Sequence, residues 1–473
     1  MAHTMLRSLC TLVCALLTFS SAHVYGMTSY SRQDPFPIYN TLDPHEFLYT
    51  RDKLKFMGLT PDADRSERVN FSVSPFGQNA RNAGNHNIFS LATDDSITPN
   101  YQTIQLGDIG GRWDMIALLF GPTPTGQTLP PSLLAARQTL FPMVPLGTPI
   151  DDTLAIDPSQ QFGFFTIPMK YRKRGVRFEF DLQLLCDIGL KLQTGVANIY
   201  FAPVNLLNLT PNSTFTPDPT NPNLTKTNVN GTLMQNVQTI TNEINFEMCT
   251  FDTSSVEDIR ATLYWRHAFP INRERKEWPI FLFTPFLFIE GSVAAGKERH
   301  YNKAFDISFG SNSHHALGFT GGFDVDFAQS IELGIEGGFD HFFKRDFCNV
   351  HIPTSNCQSG IYPFATSASI QPGDNWHFGA KMSAYHFLER LSCYVQYVII
   401  KHKEDKITPK TSDPSFLPEL LECKSDFTVQ VFNFDLNYDI SPDFSLGFLY
   451  QLPFKQQRAF NSGTLLFSLN IMY

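Results

Sequence analysis

From residue 162 onward, apolar and polar residues alternate with a period of two through most of the chain. Val176, Phe178, Phe180, Leu182 and Leu184 alternate with Arg177, Glu179, Asp181 and Gln183. Leu317, Phe319, Phe323, Val325 and Phe327 alternate with Gly318, Thr320, Gly322, Asp324 and Asp326. Ile331, Leu333, Ile335 and Phe339 alternate with Glu332, Gly334, Glu336, Gly338 and Asp340. The same rhythm recurs over 376–382, 391–399, 432–440, 444–452 and 465–473. Successive side chains of a strand point to opposite faces, so each stretch predicts a strand with one apolar and one polar face. Residues 68–76, 112–120, 162–171, 188–192, 280–295 and 305–309 are further candidate strands. The change of phase at Val431-Phe432 predicts a bulge or a strand that runs on past its sheet.

The connections alternate in length. Those at 185–187, 328–330, 388–390 and 441–443 are tight, whereas 201–279, 344–375, 401–425 and 453–462 are long. Arg172, Lys173, Arg174 and Gly175 read as a basic turn between two strands. A Pro-rich insertion at 121–160 holds a helical signal over 132–141, and an Asn/Thr/Pro-rich insertion at 203–258 holds two more, at 233–246 and 256–265.

Charges at every second position are costly inside a soluble sandwich and natural on a face that lines water. Aromatics make up 14% of the chain, with 44 Phe, and charged residues only 17%. Apolar faces with that aromatic load need a large apolar surrounding. Beyond the N-terminus no run approaches the ~18 uninterrupted apolar residues of a spanning helix. The pattern therefore predicts an all-β transmembrane antiparallel up-and-down barrel, with short turns at one end and long loops at the other. Counting back from 473 to 162 gives twelve strands, and adding 68–76 and 112–120 gives fourteen; both counts leave the two termini at the same end.

The stretch 463–473 carries the strongest family signal. Leu465, Phe467, Leu469, Ile471 and Tyr473 alternate with Leu466, Ser468, Asn470 and Met472, and the run stops on an aromatic residue. It resembles the closing strand of Gram-negative outer-membrane β-barrels, and the chain as a whole resembles their porin-like members over about 68–473. That resemblance implies an outer-membrane location, contact with outer-membrane lipid and lipopolysaccharide, and recognition of Phe467, Leu469, Ile471 and Tyr473 by the barrel-assembly machinery. The N-terminus fits export. Arg7 precedes an apolar run from Ser8 to Phe19, and Ser20, Ser21 and Ala22 follow, so 1–26 reads as a signal peptide. Residues 27–66 read as an irregular periplasmic segment, and 67–473 as the barrel with insertions at 121–160, 203–258 and 344–375.

Candidate chemistry follows from which residues face the lumen. Asp324, Asp326, Glu332, Glu336 and Asp340 form an acidic stripe, facing a smaller basic set of Arg177, Lys191 and Lys381. Rings of this kind tune ion selectivity, here toward cations. Lys170, Arg172, Lys173 and Arg174, extended by Arg177, are the only dense basic cluster, and on the outer surface they would hold lipopolysaccharide phosphates. Cys348 and Cys357 are close in sequence within a loop and are the best-placed candidate disulfide. No cysteine or histidine spacing matches a metal site, so neither metal nor cofactor is expected. A net charge of −9 argues against nucleic-acid binding. No Gly-x-Ser-x-Gly motif supports an enzyme. The leading functional expectation is a porin-like channel for passive diffusion of small solutes or ions. The second is a surface adhesin or structural anchor acting through its long loops. The pattern fixes neither the substrate nor the oligomeric state.

Overall fold

The computed structural model describes residues 69–85, 102–141 apart from 110 and 112, 144, 148–150, 164–208 apart from 186, 236–271, 281–327, 331–388, 390–441 and 444–472. The expected signal peptide, the 27–66 segment and Tyr473 lie outside the described residues.

Twelve strands close into one antiparallel ring. They are β1 (Val69–Ala80), β2 (Met169–Leu185), β3 (Ile188–Pro203), β4 (Ile259–Arg266), β5 (Phe281–Val293), β6 (Ala316–Phe327), β7 (Ile331–Phe342), β8 (Asn375–Leu388), β9 (Leu391–His402), β10 (Phe427–Ser441), β11 (Phe444–Gln457) and β12 (Gly463–Met472). Each pairs with its neighbours in the chain, and β1 pairs with β12, Phe71 opposite Ile471, to shut the ring. Closure leaves no unpaired edge among these strands, so every ladder group can be satisfied in lipid. Outward residues such as Phe180, Trp265, Ile289, Phe319, Ile335, Phe378, Leu446 and Phe467 are exposed and form the apolar band. Their polar neighbours along each strand are buried inside.

Twelve is the smaller of the two expected counts, and four local expectations change. Residues 112–120 are not a barrel strand. Only Trp113–Asp114 is extended, Ala117–Leu119 is a single 3-10 turn, and everything from Trp113 to Phe120 is buried. A strand in a barrel wall must show one face outward, and this stretch has no polar alternation to supply the other. Likewise 305–309 is an irregular buried segment, with Phe305, Ile307 and Phe309 all packed away. The expected basic turn at 172–175 is the middle of β2, paired with Asn79 to Phe76 on one side and with Tyr200 to Ala197 on the other. Arg172 and Arg174 point out and Lys173 points in, so the period of two continues straight through. Finally, 256–265 is not helical. Ile259, Leu263 and Trp265 face out, while Arg260, Thr262, Tyr264 and Arg266 face in, which makes β4 an ordinary wall strand.

The strand Phe251–Val256 continues β4 along the same partner, β3. Val256 pairs with Val196 and Arg260 with Gln193, so one extra residue bulges between them. That bulge turns both Glu257 and Asp258 into the interior. The expected irregularity near Val431 is also present. Gln430 faces Lys455 and Val431 faces Pro453, leaving Phe454 as the extra residue on β11.

Two residues separate β2 from β3, β8 from β9, and β10 from β11, and three separate β6 from β7. These short turns share one end with Val69 and Met472. The fourteen-residue connection between β4 and β5 lies at this end too, its Phe269–Ile271 pairing with Phe281 to Phe283 of β5, whereas the other long connections gather at the opposite end and fold into a cap. It contains three small sheets, one of them Arg345–His351, Ala365–Gln371 and Lys406–Pro409. Helices Pro131–Leu140 and Val237–Glu243 lie there as well, matching two of the three helical signals. Cys348 is exposed and Cys357 is buried in the cap core, and the two thiols are unbonded. The expected disulfide is therefore absent: Cys348 stands exposed on the strand Arg345–His351, whereas Cys357 is turned into the cap core.

Candidate functional site

The lumen has two levels. Toward the turn end it is lined by charge. Arg266 donates to Asp324 at 2.7 Å, and Lys381 approaches the other oxygen of Asp324 at 2.8 Å. Glu332 lies 3.7 Å from Lys381 and 3.9 Å from Arg266, which completes a quartet across β4, β6, β7 and β8. All four side chains are at most 4% exposed. The register brings Gly334 between Asp324 and Lys381, and a Cβ there would overlap both side chains. The ring of Phe286 faces both cations, 5.5 Å from Lys381 Nζ and 5.9 Å from the Arg266 guanidinium.

Three further groups repeat the theme. Lys173 and Arg177 converge on Glu257 at 2.6 and 2.8 Å. Lys191 and Gln193 face Glu179, and the Tyr264 hydroxyl donates to Asp181 at 2.7 Å. Nearer the cap, Arg260 meets Glu290 at 3.8 Å, with Asp340 on the same wall. Burying a charge is tolerable only when it is paired or hydrogen-bonded, and these arrangements supply most of that compensation.

The opposite wall is lined by amides and hydroxyls. Gln396 donates to Glu336 at 2.6 Å, and Asn433 donates to Gln396 at 2.8 Å. Gln451 donates to Asn433, Thr464 to Gln451, and Gln78 to Thr464, at 3.1, 3.4 and 3.2 Å. Tyr171 then donates to Gln78 at 3.0 Å. Gln396, Asn433, Gln451, Thr464 and Gln78 stand directly opposite one another in five successive strands, so the register itself lays out this belt.

Above the belt the lining turns apolar. Val398, Ile400, Phe427, Val429 and Val431 join one buried cluster with Met115 to Phe120, Phe165, Phe305, Ile307 and Phe309 of the cap, and Leu449 and Leu466, one step below the belt, belong to it as well. The cap thus packs into the barrel mouth through a continuous apolar core. Within it lies a chamber of about 250 Å³, walled by Leu106, Trp113, Met169, Phe201, Phe246, Phe305, Ile307 and Phe460. Its polar members include Asp306, His351, Tyr362, Asp405 and Lys424. Asp306 Oδ1 and Asp405 Oδ2 are buried with no hydrogen-bond partner among the described residues. Asp405 Oδ1 accepts from His402 Nε2 at 2.8 Å, and His402 Nδ1 lies 2.6 Å from Asn375 Oδ1. His351 Nδ1 lies 2.9 Å from the Tyr362 carbonyl oxygen, and burial pulls its pKa below the usual histidine value.

All five members of the expected acidic stripe do face inward, as do Arg177, Lys191 and Lys381. They form separate buried groups rather than an acidic face opposite a basic one. Sequence reasoning misses Arg260, Arg266 and Glu257, because the strand that carries them reads as a helix. It also places Lys173 with the outer basic cluster, although its period-two position between Arg172 and Arg174 puts it inside, fully buried. The signal is available in the alternation Ile259, Ala261, Leu263, Trp265 against Arg260, Thr262, Tyr264, Arg266.

No family model and no curated relative matches the chain. Among solved structures, it is similar to the COG4313 outer membrane channel from Pseudomonas putida F1, with a TM-score of 0.44 and 7% identity over 86% of this chain and 96% of the other. It is also similar to the translocator domain of autotransporter NalP from Neisseria meningitidis, with a TM-score of 0.32 and 8% identity over 89% and 94%. A third is the CymD monoaromatic hydrocarbon channel, with a TM-score of 0.29 and 7% identity over 94% and 97%. Likenesses this distant carry no mechanistic argument, and the class rests on the chain's own ring of strands: it is a transmembrane antiparallel β-barrel of the outer-membrane type.

Proposed function

We propose that the protein is an outer-membrane channel for small solutes that opens by rearrangement of its cap and its charged lining. The observation that carries this reading is the chamber at the barrel mouth, set directly above a polar lumen. An apolar cavity of about 150 Å³ holds benzene, so a chamber of this size suits a small ring compound or a short branched chain. The two unpartnered carboxylate oxygens at its wall favour a solute that brings a hydrogen-bond donor. Passage then runs along the buried polar groups toward the turn end, down the solute's own gradient.

The burial of the lining charges supports a closed resting state rather than a standing water-filled pore. Acids outnumber bases on the inward face, which supports cation preference once the pore is open. Adhesion through the loops has less support, because the described cap segments pack on a shared core instead of standing clear of the barrel.

The test is current through planar bilayers containing the refolded protein, before and after mild proteolysis of the cap. The expected result is rare discrete openings from the intact protein and frequent, cation-preferring ones after cleavage. Silence in both states from a correctly folded barrel would reject the channel reading.

A further inference from the structure

Lys170, Arg172 and Arg174 lie at alternate positions of β2 and are exposed on its outer face. On the same face they are followed toward the turn end by Val176, Phe178 and Phe180, which belong to the apolar band. The cations therefore sit at the loop-end border of that band. At about 6.8 Å for every two residues, the three span roughly 14 Å along the strand. Arg81 is exposed just beyond Ala80 on β1, and Ala80 pairs with Tyr171, so a fourth cation flanks the ladder. The Arg172 guanidinium lies 6.0 Å from the centre of the Tyr200 ring. Among the described residues none of the four cations makes an ion pair. The nearest acid by register is Asp252, opposite Tyr200 on the far side of β3, and it accepts from Asn198.

Unneutralised cations at this density repel one another unless an anion joins them. At the border of the apolar band the matching anion is a lipid phosphate, and the arginine fork fits phosphate oxygens two at a time. We propose that this ladder binds the phosphorylated headgroup of a lipopolysaccharide molecule, whose acyl chains lie on Val176, Phe178 and Phe180. The proposal rests on the outer-membrane placement above, with the loop end outside.

The test uses the full chain, refolded in detergent and mixed with lipopolysaccharide, with its dephosphorylated form, or with phosphatidylglycerol. Bound lipid is then measured by native mass spectrometry. The expected result is retention of the phosphorylated lipopolysaccharide only. R172Q/R174Q is expected to lower retention about tenfold or more and R172K/R174K by less, since lysine keeps the charge and loses the fork. K401Q, which removes an exposed cation of β9, serves as the control and should change nothing. Equal retention of the dephosphorylated form, or equal retention by R172Q/R174Q, would overturn the proposal. Retention of phosphatidylglycerol as strong as that of lipopolysaccharide would overturn it too, by making the site a general anionic-lipid border. If R172Q/R174Q fails to fold, the phosphate dependence of the wild type still decides. Cell fractionation tests the placement separately: a protein absent from the outer membrane removes the placement, whatever lipid it binds in detergent.

Discussion

Glu336 meets Gln396 at 2.6 Å by lying over Gly379, the β8 residue that stands opposite Glu336. A Cβ at Gly379 would lie 2.5 Å from Glu336 Oε1 and 2.9 Å from its Cγ. The glycine is thus a gap in the inner wall through which the amide belt joins the acidic side of the lumen. Gly379→Val is expected to break that link, and Gln396→Ala to break it from the other side. Each should lower stability by about 1–3 kcal/mol, the cost of leaving a buried polar group without its partner. The midpoint of urea unfolding in micelles measures this, and an unchanged midpoint in both variants would show that the belt contributes nothing.

The quartet of Arg266, Asp324, Glu332 and Lys381 makes a stronger demand. Lys381→Met leaves two buried carboxylates with one cation between them, and breaking a buried pair in this way costs about 3–5 kcal/mol. Adding Asp324→Asn to it should recover part of the loss. The double-mutant cycle is read from the temperature at which the folded barrel loses its compact migration on gels. Strict additivity of the two single effects would contradict the geometry.

His314 is buried in the 294–315 connection, and burial, with Arg345 and His315 nearby, holds its pKa well below the usual histidine value. His351 in the cap is shifted the same way by burial. Unfolded chains take up protons at these positions near pH 6.5, whereas the folded cap does not, so folding is favoured above that pH. Cap stability should therefore fall as the pH drops through about 6.5 toward 5. Protease sensitivity of the cap at pH 7.5 and 5.0 tests this, with His314→Gln expected to flatten the difference.

Asp435 faces the lumen from β10 at 1% exposure, with no cation or side-chain donor on either carboxylate oxygen among the described residues. Asp435→Asn removes the demand for an ionised partner while keeping the shape. It should be neutral or stabilising by about 1 kcal/mol or more in the same urea experiment. A marked loss of stability would contradict the reading of this carboxylate as unsupported.

Cys348 and Cys423 are exposed in the cap and Cys357 is buried there. A membrane-impermeant maleimide applied to intact cells should label the first two, and reach Cys357 only after unfolding. Labelling restricted to broken cells would invert the orientation assigned from turn length.

Much of the barrel is legible because its two faces meet different surroundings, and a period of two is the direct imprint of that difference. Strands β6, β7 and β10 to β12 all show it. The pattern misleads where one signal imitates another. Four successive residues at 172–175 look like a turn only if their charge is weighed above their alternation. The sequence of β4 reads as helical beside a loop rich in Asn and Pro. Phe305, Ile307 and Phe309 imitate an outward strand face, but their side chains are buried in the cap core. The cap itself is out of reach, since it is built from contacts between loops far apart in the chain, such as Gln358 donating to the Phe120 carbonyl oxygen. The direction of each lumen charge can be read from parity, whereas its partner depends on register across strands that are not adjacent in sequence.

The seam between β1 and β12 also sets the order of assembly. Ser72 donates to Asn470 across it, and 398 residues separate the two. Until β12 is in place, β1 has a bare edge on one side and β11 has another, each able to template pairing with a foreign strand. Closing so long a loop adds only a slowly growing entropic term to stability, but it makes the final step of folding slow. The ring is therefore most vulnerable before its last strand arrives, and a chaperone that holds β1 during that interval would protect the fold more than any single contact in the finished barrel.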